Sequence, residues 1–171
     1  MKRVILDTNV YEFILKEFDR DTVWKLSRKK IMLIYGSDII RKELRDIPKV
    51  SFYSVGSRTR NLRSALTSLY DILVAKSYTP DKKIKELAEK YFISYTSHGG
   101  RRKREELLND FLIVSTATVK DLDIVVSEDR RTMADEFSLK SYRLVNAIEK
   151  KRTPKFIGFG EFRQIVRSAL L

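Results

Sequence analysis

The chain has 171 residues, carries 35 Lys and Arg against 23 Asp and Glu, and has no cysteine. That length suits one domain with a sizeable core, and the missing cysteines exclude disulfides and thiolate metal sites. A net charge of +12 and a pI near 9.9 favour polyanionic partners, nucleic acid before anionic membrane.

The first apolar run, Val4-Ile5-Leu6, has strand character and stops at Asp7-Thr8-Asn9. It is cut too early for a signal peptide, and no run reaches the roughly 18 apolar residues needed to span a bilayer. The expectation is a cytoplasmic protein with no membrane contact. A helix follows from about Val10 to Phe18, and Asp21 is placed to cap another through Trp24 and Leu26. Ile31 to Tyr35 is a continuous apolar run, as in strands buried on both faces of a parallel sheet. It ends at Gly36-Ser37, where Ser37 caps a short helix carrying Glu43.

Lys49 to Ser57 is read as a loop. A long helix with Leu62, Leu66, Leu69 and Leu73 on one face comes next. Thr79-Pro80-Asp81 then restarts the helical pattern through Leu87 and Tyr91. The two helices are expected to form an antiparallel hairpin outside the sheet, a helical elaboration at about 58–97 on a single domain spanning 1–171. A glycine-hinged basic loop, SHGGRRKRE, leads into a helix holding Asp110, Phe111 and Leu112. Ile124-Val125-Val126 is another strand, ending at Ser127-Glu128-Asp129. Helical segments are expected near Thr132–Phe137 and Tyr142–Ile148, a short edge strand at Phe156-Ile157, and a final helix over Glu161–Leu170. This alternation predicts an α/β fold with parallel strands and right-handed crossovers.

Two strands end in acids in the same way. If they are neighbours, Asp7 and Asp129 meet at one edge of the sheet, where open α/β folds place their sites. Glu43 and Asp110 lie on helices able to reach that edge. Crowded carboxylates repel, and a hard divalent cation such as Mg²⁺ removes the conflict. An acidic metal pocket inside a basic protein is what a metal-dependent nuclease requires, since the surface collects phosphates and the ion reverses the local sign. Asp38 and Asp46 compete with Glu43 for this role, and Asp123 and Glu128 compete with Asp129.

Together VILDTNV, IIRKELRDI and NDFLIVSTATVKDLDIVVSEDRRT resemble the PIN-domain ribonuclease family, including its VapC-type toxins. The likeness covers most of the chain and is least distinctive over 45–108 and the last 35 residues. It implies a Rossmann-like three-layer α/β/α fold with a central, mostly parallel sheet. It also implies Mg²⁺- or Mn²⁺-dependent cleavage of RNA. By that resemblance the four family acids are Asp7, Glu43, Asp110 and Asp129, both catalytic and metal-holding, with Thr8, Asn9 and Ser127 orienting them. A toxin role would bring an antitoxin protein as partner, and the family makes a homodimer plausible; an RNA-processing nuclease is the other role.

Arg101, Arg102, Lys103 and Arg104 precede the Asp110 helix and are expected to contact the RNA backbone. Arg58 and Arg60 form a second basic cluster of the same kind. Two alternatives stand beside the nuclease. An aspartate-nucleophile phosphatase would want an acid two residues after Asp7, where Asn9 stands. A non-catalytic RNA-binding PIN module in a larger complex has no use for four converging carboxylates.

Overall fold

The computed structural model describes residues 1–28 and 31–170. The elements run β1 (Lys2–Leu6), α1 (Thr8–Glu17), α2 (Arg20–Arg28), β2 (Met32–Ser37), α3 (Asp38–Asp46), β3 (Phe52–Val55) and β4 (Arg58–Asn61). They continue α4 (Leu62–Leu73), β5 (Val74–Tyr78), α5 (Lys82–Ser97), α6 (Arg104–Val119), β6 (Ile124–Val126), α7 (Glu136–Ile148), β7 (Lys155–Ile157) and α8 (Phe159–Leu170).

The central sheet has the order β5-β2-β1-β6-β7, and every pair in it is parallel. β1 lies in the middle because its side chains are apolar on both faces: Val4, Ile5 and Leu6 are buried, as are Val125 and Val126 of β6 beside them. Helices α1 to α4 pack among themselves and α2 meets α8, while α5 packs on α6 and α7. The result is a three-layer α/β/α architecture, as expected. Among the described residues no helix is long and apolar enough to cross a membrane.

Helix α6 is buried on nearly all sides, from Phe111 to Thr118. Its two threonines at 116 and 118 spend their hydroxyls inside: Thr116 donates to the Leu112 carbonyl at 2.7 Å, and Thr118 joins Tyr91 and Asn146. A helix so enclosed holds Asp110, in its second turn, at a fixed height against the sheet.

Three expectations change. The helices α4 and α5 are not joined directly, because Val74–Tyr78 forms β5 and adds a parallel edge strand to β2. Its polar, exposed pattern hides it in a stretch that reads as the end of a helix. The segment 49–57 is not a plain loop: Phe52–Val55 and Arg58–Asn61 pair antiparallel as a hairpin turning at Gly56-Ser57. Finally, residues 130–134 form turns rather than helix, with α7 starting at Glu136 behind the Asp135 cap.

At the end of β2 the backbone runs against a side chain. A Cβ on Gly36 would stand 2.0 Å from Tyr70 Oη, whose hydroxyl lies 3.2 Å from the Ser37 carbonyl and 2.7 Å from Ser77 Oγ. Only glycine leaves room there. This contact ties α4 and β5 to the strand that leads into α3 and Glu43.

Candidate active site

The ladder between β1 and β6 pairs Leu6 with Val126, and the Asp7 N–H continues it by donating to the Val126 carbonyl at 2.9 Å. Both strands therefore finish at one level, placing Asp7 beside Ser127. The Asp7 carboxylate accepts three hydrogen bonds: from the Thr8 N–H at 2.7 Å, Asn9 Nδ2 at 2.9 Å and Ser127 Oγ at 2.6 Å. It also caps α1. Capping and site geometry are thus one arrangement.

Glu43 reaches the same edge from α3. Thr8 Oγ1 donates to its Oε2 and Asn109 Nδ2 to its Oε1, the latter at 2.6 Å. Asn109 is the neighbour of Asp110, whose Oδ2 meets Thr132 Oγ1. The same hydroxyl lies 2.7 Å from Asp129 Oδ2. Asp129 also accepts the N–H groups of Arg131 at 2.8 Å and Thr132 at 3.0 Å, and its own N–H donates to Ser127 Oγ at 2.9 Å. The connections close into a ring: Thr8 and Asn109 hold Glu43, Thr132 stands between Asp110 and Asp129, and Ser127 links Asp129 back to Asp7.

The electrostatics follow from that crowding. Burial, opposed by the Ser127 and Thr8 hydrogen bonds and reinforced by the charges of Glu43 and Asp129, pushes the Asp7 carboxyl up to about 6. Burial likewise raises Asp110, to about 7; Thr132 opposes this, while the charges of Asp7, Asp129 and Glu43 add to it. Asp129 behaves oppositely. Burial works against its charge, but the Thr132 hydroxyl, the two backbone N–H groups and the Arg131 guanidinium outweigh that and hold it below the usual carboxylate range. Two acids that resist ionisation beside one that favours it form a site short of positive charge.

Three of the rival acids are engaged elsewhere. Asp123 lies at the start of β6, the opposite edge of the sheet, paired with Arg3 and Arg152. Glu128 turns away to accept the Phe159 N–H. Asp38 meets Ser77 and Thr79. Thr8 acts on Asp7 only through its backbone; its side chain serves Glu43 instead. Asn109 and Thr132 are members of the ring that sequence reasoning missed. Asp129-x-x-Thr132 is the spacing of a turn in which a carboxylate takes the N–H three residues on, and that signal was available.

The basic residues divide. Arg101 and Arg102 lie by the turn that follows Asp129, lining one cavity with Arg130 and Arg131. Lys103 caps α6, and Arg104 pairs with Glu89 on α5. Arg58 and Arg60 belong to the β3–β4 hairpin, and Arg60 lines a different cavity of about 760 Å³ with Trp24, Tyr53 and Leu69. None of the four ring acids lines that cavity.

No protein-family model and no curated protein sequence matches the chain. Solved structures do. A DNA-bound VapBC from Salmonella typhimurium matches with a TM-score of 0.57 at 14% identity, over 93% of this chain and 99% of that one. FitAB bound to the IR36 DNA fragment matches at 0.56 and 15%, over 91% and 94%. VapBC2 from Rickettsia felis, bound to a promoter DNA fragment, matches at 0.54 and 14%, over 91% and 98%. The chain has the PIN-domain fold. The likeness is one of fold, and it spans nearly the whole length of each partner in the comparison.

The side chains at this edge of the sheet that could offer hard oxygen donors to a cation such as Mg²⁺ or Mn²⁺ are Asp7, Glu43, Asp110 and Asp129. Among the described residues no group of three or more His, Cys, Asp or Glu side chains is set to hold an ion as it stands. The donor chemistry nonetheless fits: all four acids present carboxylate oxygen, and Asp7 and Asp110 repel charge that a cation would balance. A Mg²⁺ ion keeps several of its own waters and needs only a few carboxylates.

Proposed function

We propose that the chain is a metal-dependent endoribonuclease that hydrolyses RNA phosphodiester bonds. Asp7, Glu43, Asp110 and Asp129 serve as its catalytic acids and hold Mg²⁺ or Mn²⁺. The observation that carries this reading is the ring that brings four carboxylates together at the ends of β1 and β6 and on α3 and α6, closed by hydrogen bonds and by the chain link between Asn109 and Asp110. Capping and turn formation account for single acids such as Asp7 and Asp129, but not for crowding four carboxylates whose mutual repulsion and burial cost stability.

A bound divalent ion would supply Lewis-acid polarisation of the phosphodiester and neutralise the acids around it. The chain's own groups do the rest. Ser127 and Asn9 fix the orientation of Asp7, Thr8 and Asn109 fix Glu43, and Thr132 sets the separation of Asp110 from Asp129. The net charge of +12 draws the phosphate backbone to the surface.

The fold's solved relatives include VapBC and FitAB assemblies, several with DNA bound. They support reading the chain as a toxin-type nuclease held in check by an antitoxin protein, and a homodimer is the assembly we propose with it. An RNA-processing nuclease uses the same site without such a partner.

The test is cleavage of single-stranded RNA by the purified chain. Cleavage is expected with Mg²⁺ or Mn²⁺, and is expected to be lost with chelator and in Asp7→Asn and Asp129→Asn. Undiminished cleavage by both variants in chelator would overturn the assignment. Tight RNA binding with no metal-dependent cleavage would favour a binding module instead.

A further inference from the structure

A second cavity, of about 700 Å³, opens beside the acid ring and is lined by four arginines: Arg101 and Arg102 from the loop before α6, and Arg130 and Arg131 from the turn after Asp129. All four are exposed. Among the described residues Arg101, Arg130 and Arg131 form no ion pair, and Arg102 has only a 3.5 Å contact to Glu106 one helical turn on. The other acid at the wall, Asp135, spends its carboxylate on the start of α7, accepting from the N–H groups of Phe137 and Ser138 and from Ser138 Oγ. The cavity therefore sets four guanidiniums against the two carboxylates of Glu106 and Asp135, a net positive wall.

The remaining wall is aromatic and fixed. Phe137 is 39% exposed, and its ring packs edge-on against buried Tyr95 with centroids 6.3 Å apart. The loop carrying Arg101 and Arg102 is clamped to the same tyrosine. A Cβ on Gly100 would stand 2.2 Å from the Tyr95 ring, and Gly99 adopts φ +96 directly above Phe137. The opposite wall is tied to the acids, because the Arg131 N–H donates to Asp129 Oδ1. The backbone segments that carry the four arginines are thus anchored, one to Tyr95 and the other to Asp129, with the half-exposed ring of Phe137 between them in the cavity wall.

We propose that this cavity seats a nucleotide flanking the scissile phosphate of single-stranded RNA, its phosphate on the arginines and its base against Phe137. The choice of RNA rests on the nuclease reading; the choice of a single strand does not. Guanidinium forks match phosphate oxygens in pairs, as lysines do not. A base reaches an aromatic wall only if it is free of a duplex stack. The arrangement gives the enzyme a preference for unpaired segments and sets which bond lies over the acids.

The test is binding of a fluorescein-labelled single-stranded RNA to the full chain in chelator, read by anisotropy, so that affinity is measured without cleavage. Arg130→Ala/Arg131→Ala should weaken binding at least tenfold. Losing two phosphate contacts should also flatten the salt dependence by about 1.4, at about 0.7 per contact on a single strand. Lys85→Ala/Arg167→Ala, which removes equal charge elsewhere, should change affinity less than twofold. Phe137→Leu should weaken single-stranded RNA severalfold and leave duplex RNA unchanged. Wild-type affinity in the Arg130/Arg131 variant, or equal losses in the two charge-matched variants, would overturn the proposal. So would a Phe137→Leu loss shared by duplex. If the chain cleaves no RNA yet the arginine variant loses single-strand binding, the nuclease reading fails and the cavity stands. If cleavage is metal-dependent but both cavity variants bind normally, the reverse holds.

Discussion

Thr132 sets one hydroxyl between Asp110 and Asp129, with its Oγ1 against Asp110 Oδ2 and 2.7 Å from Asp129 Oδ2. A hydroxyl has one proton to give. Both contacts are satisfied together when one acid supplies a proton of its own, and Asp110, raised to about 7 while Asp129 is lowered, is the acid that protonates first as pH falls. Once Asp110 is protonated, Thr132 accepts from it and donates to ionised Asp129; with both acids ionised the single hydroxyl proton serves one of them at a time.

Thr132→Val removes this spacer with little change in volume. Asp110 and Asp129 then face each other without a shared partner. Affinity for Mn²⁺, measured by calorimetry, is expected to fall about 10- to 100-fold, the range seen when a group supporting metal ligands is lost. Thr132→Ser keeps the hydroxyl and is expected to keep most of the affinity. Unchanged Mn²⁺ affinity in the valine variant would remove Thr132 from the site.

The raised acids make a pH prediction whose sign is unusual. Asp7 and Asp110 hold their protons more tightly folded, at about 6 and about 7, than unfolded, near 3.8. Between those values the folded state binds more protons, so this contribution falls as pH rises. It is fully present below about pH 4 and is lost as pH passes 7, with a magnitude on the order of a few kcal/mol for the two acids together. Asp110→Asn mimics the protonated acid and donates to Thr132 without charge. Its melting temperature should exceed wild type by about 3–6 °C at pH 8, a difference of one to two kcal/mol in a chain of this size. The gap should narrow as pH falls below 7 and close near pH 4. A variant less stable than wild type at pH 8 would contradict the account of Asp110.

Metal should reverse that order. A cation balancing Asp7 and Asp110 binds the folded chain only, so saturating Mg²⁺ raises the wild-type midpoint at pH 8 by mass action, about 2.7 kcal/mol at a hundred times Kd. Asp110→Asn, with one carboxylate fewer, should gain much less. Calorimetric scans with and without Mg²⁺ decide it, and equal gains in both proteins would count against Asp110 as a ligand.

Gly36→Ala tests the scaffold rather than the site. The added Cβ would meet Tyr70 Oη, Tyr70 Cζ at 2.6 Å and Val74 Cγ1 at 2.9 Å. Tyr70 is buried and hydrogen-bonded on two sides, so it has nowhere to swing. The cost is expected to be about 1–3 kcal/mol, read from denaturant midpoints. Tyr70→Phe should soften the penalty by removing the nearest atom, and additive losses in the double variant would refute the clash.

The sequence was most legible where side-chain pattern and chain position agree. VIL and IVV read as buried strands because they are apolar on both faces, and their shared endings placed Asp7 and Asp129 together. β5 was not legible: VAKSY lies at the sheet edge, exposed along its middle, and lacks the apolar signature of its neighbours. The hairpin was legible and passed over, since FYSV and RTRN flank Gly56-Ser57, a two-residue turn of the type hairpins prefer. Within the ring, carboxylates announce themselves by charge, whereas Asn109 and Thr132 matter only through what they touch. Their role needs the distance between α3, α6 and the turn after β6, which one-dimensional pattern does not contain.

The ring draws on residues 7 and 132 alike, and its central pair of strands joins the first six residues to Ile124–Val126. A ribosome must therefore release most of the chain before all four acids stand together. Until then Asp7 has only its local partners, the Thr8 N–H and Asn9, without Ser127, Asp110 or Asp129 beside it. Late closure of this kind delays the hazardous chemistry proposed for the site until translation is nearly over, and it leaves prematurely terminated fragments inert.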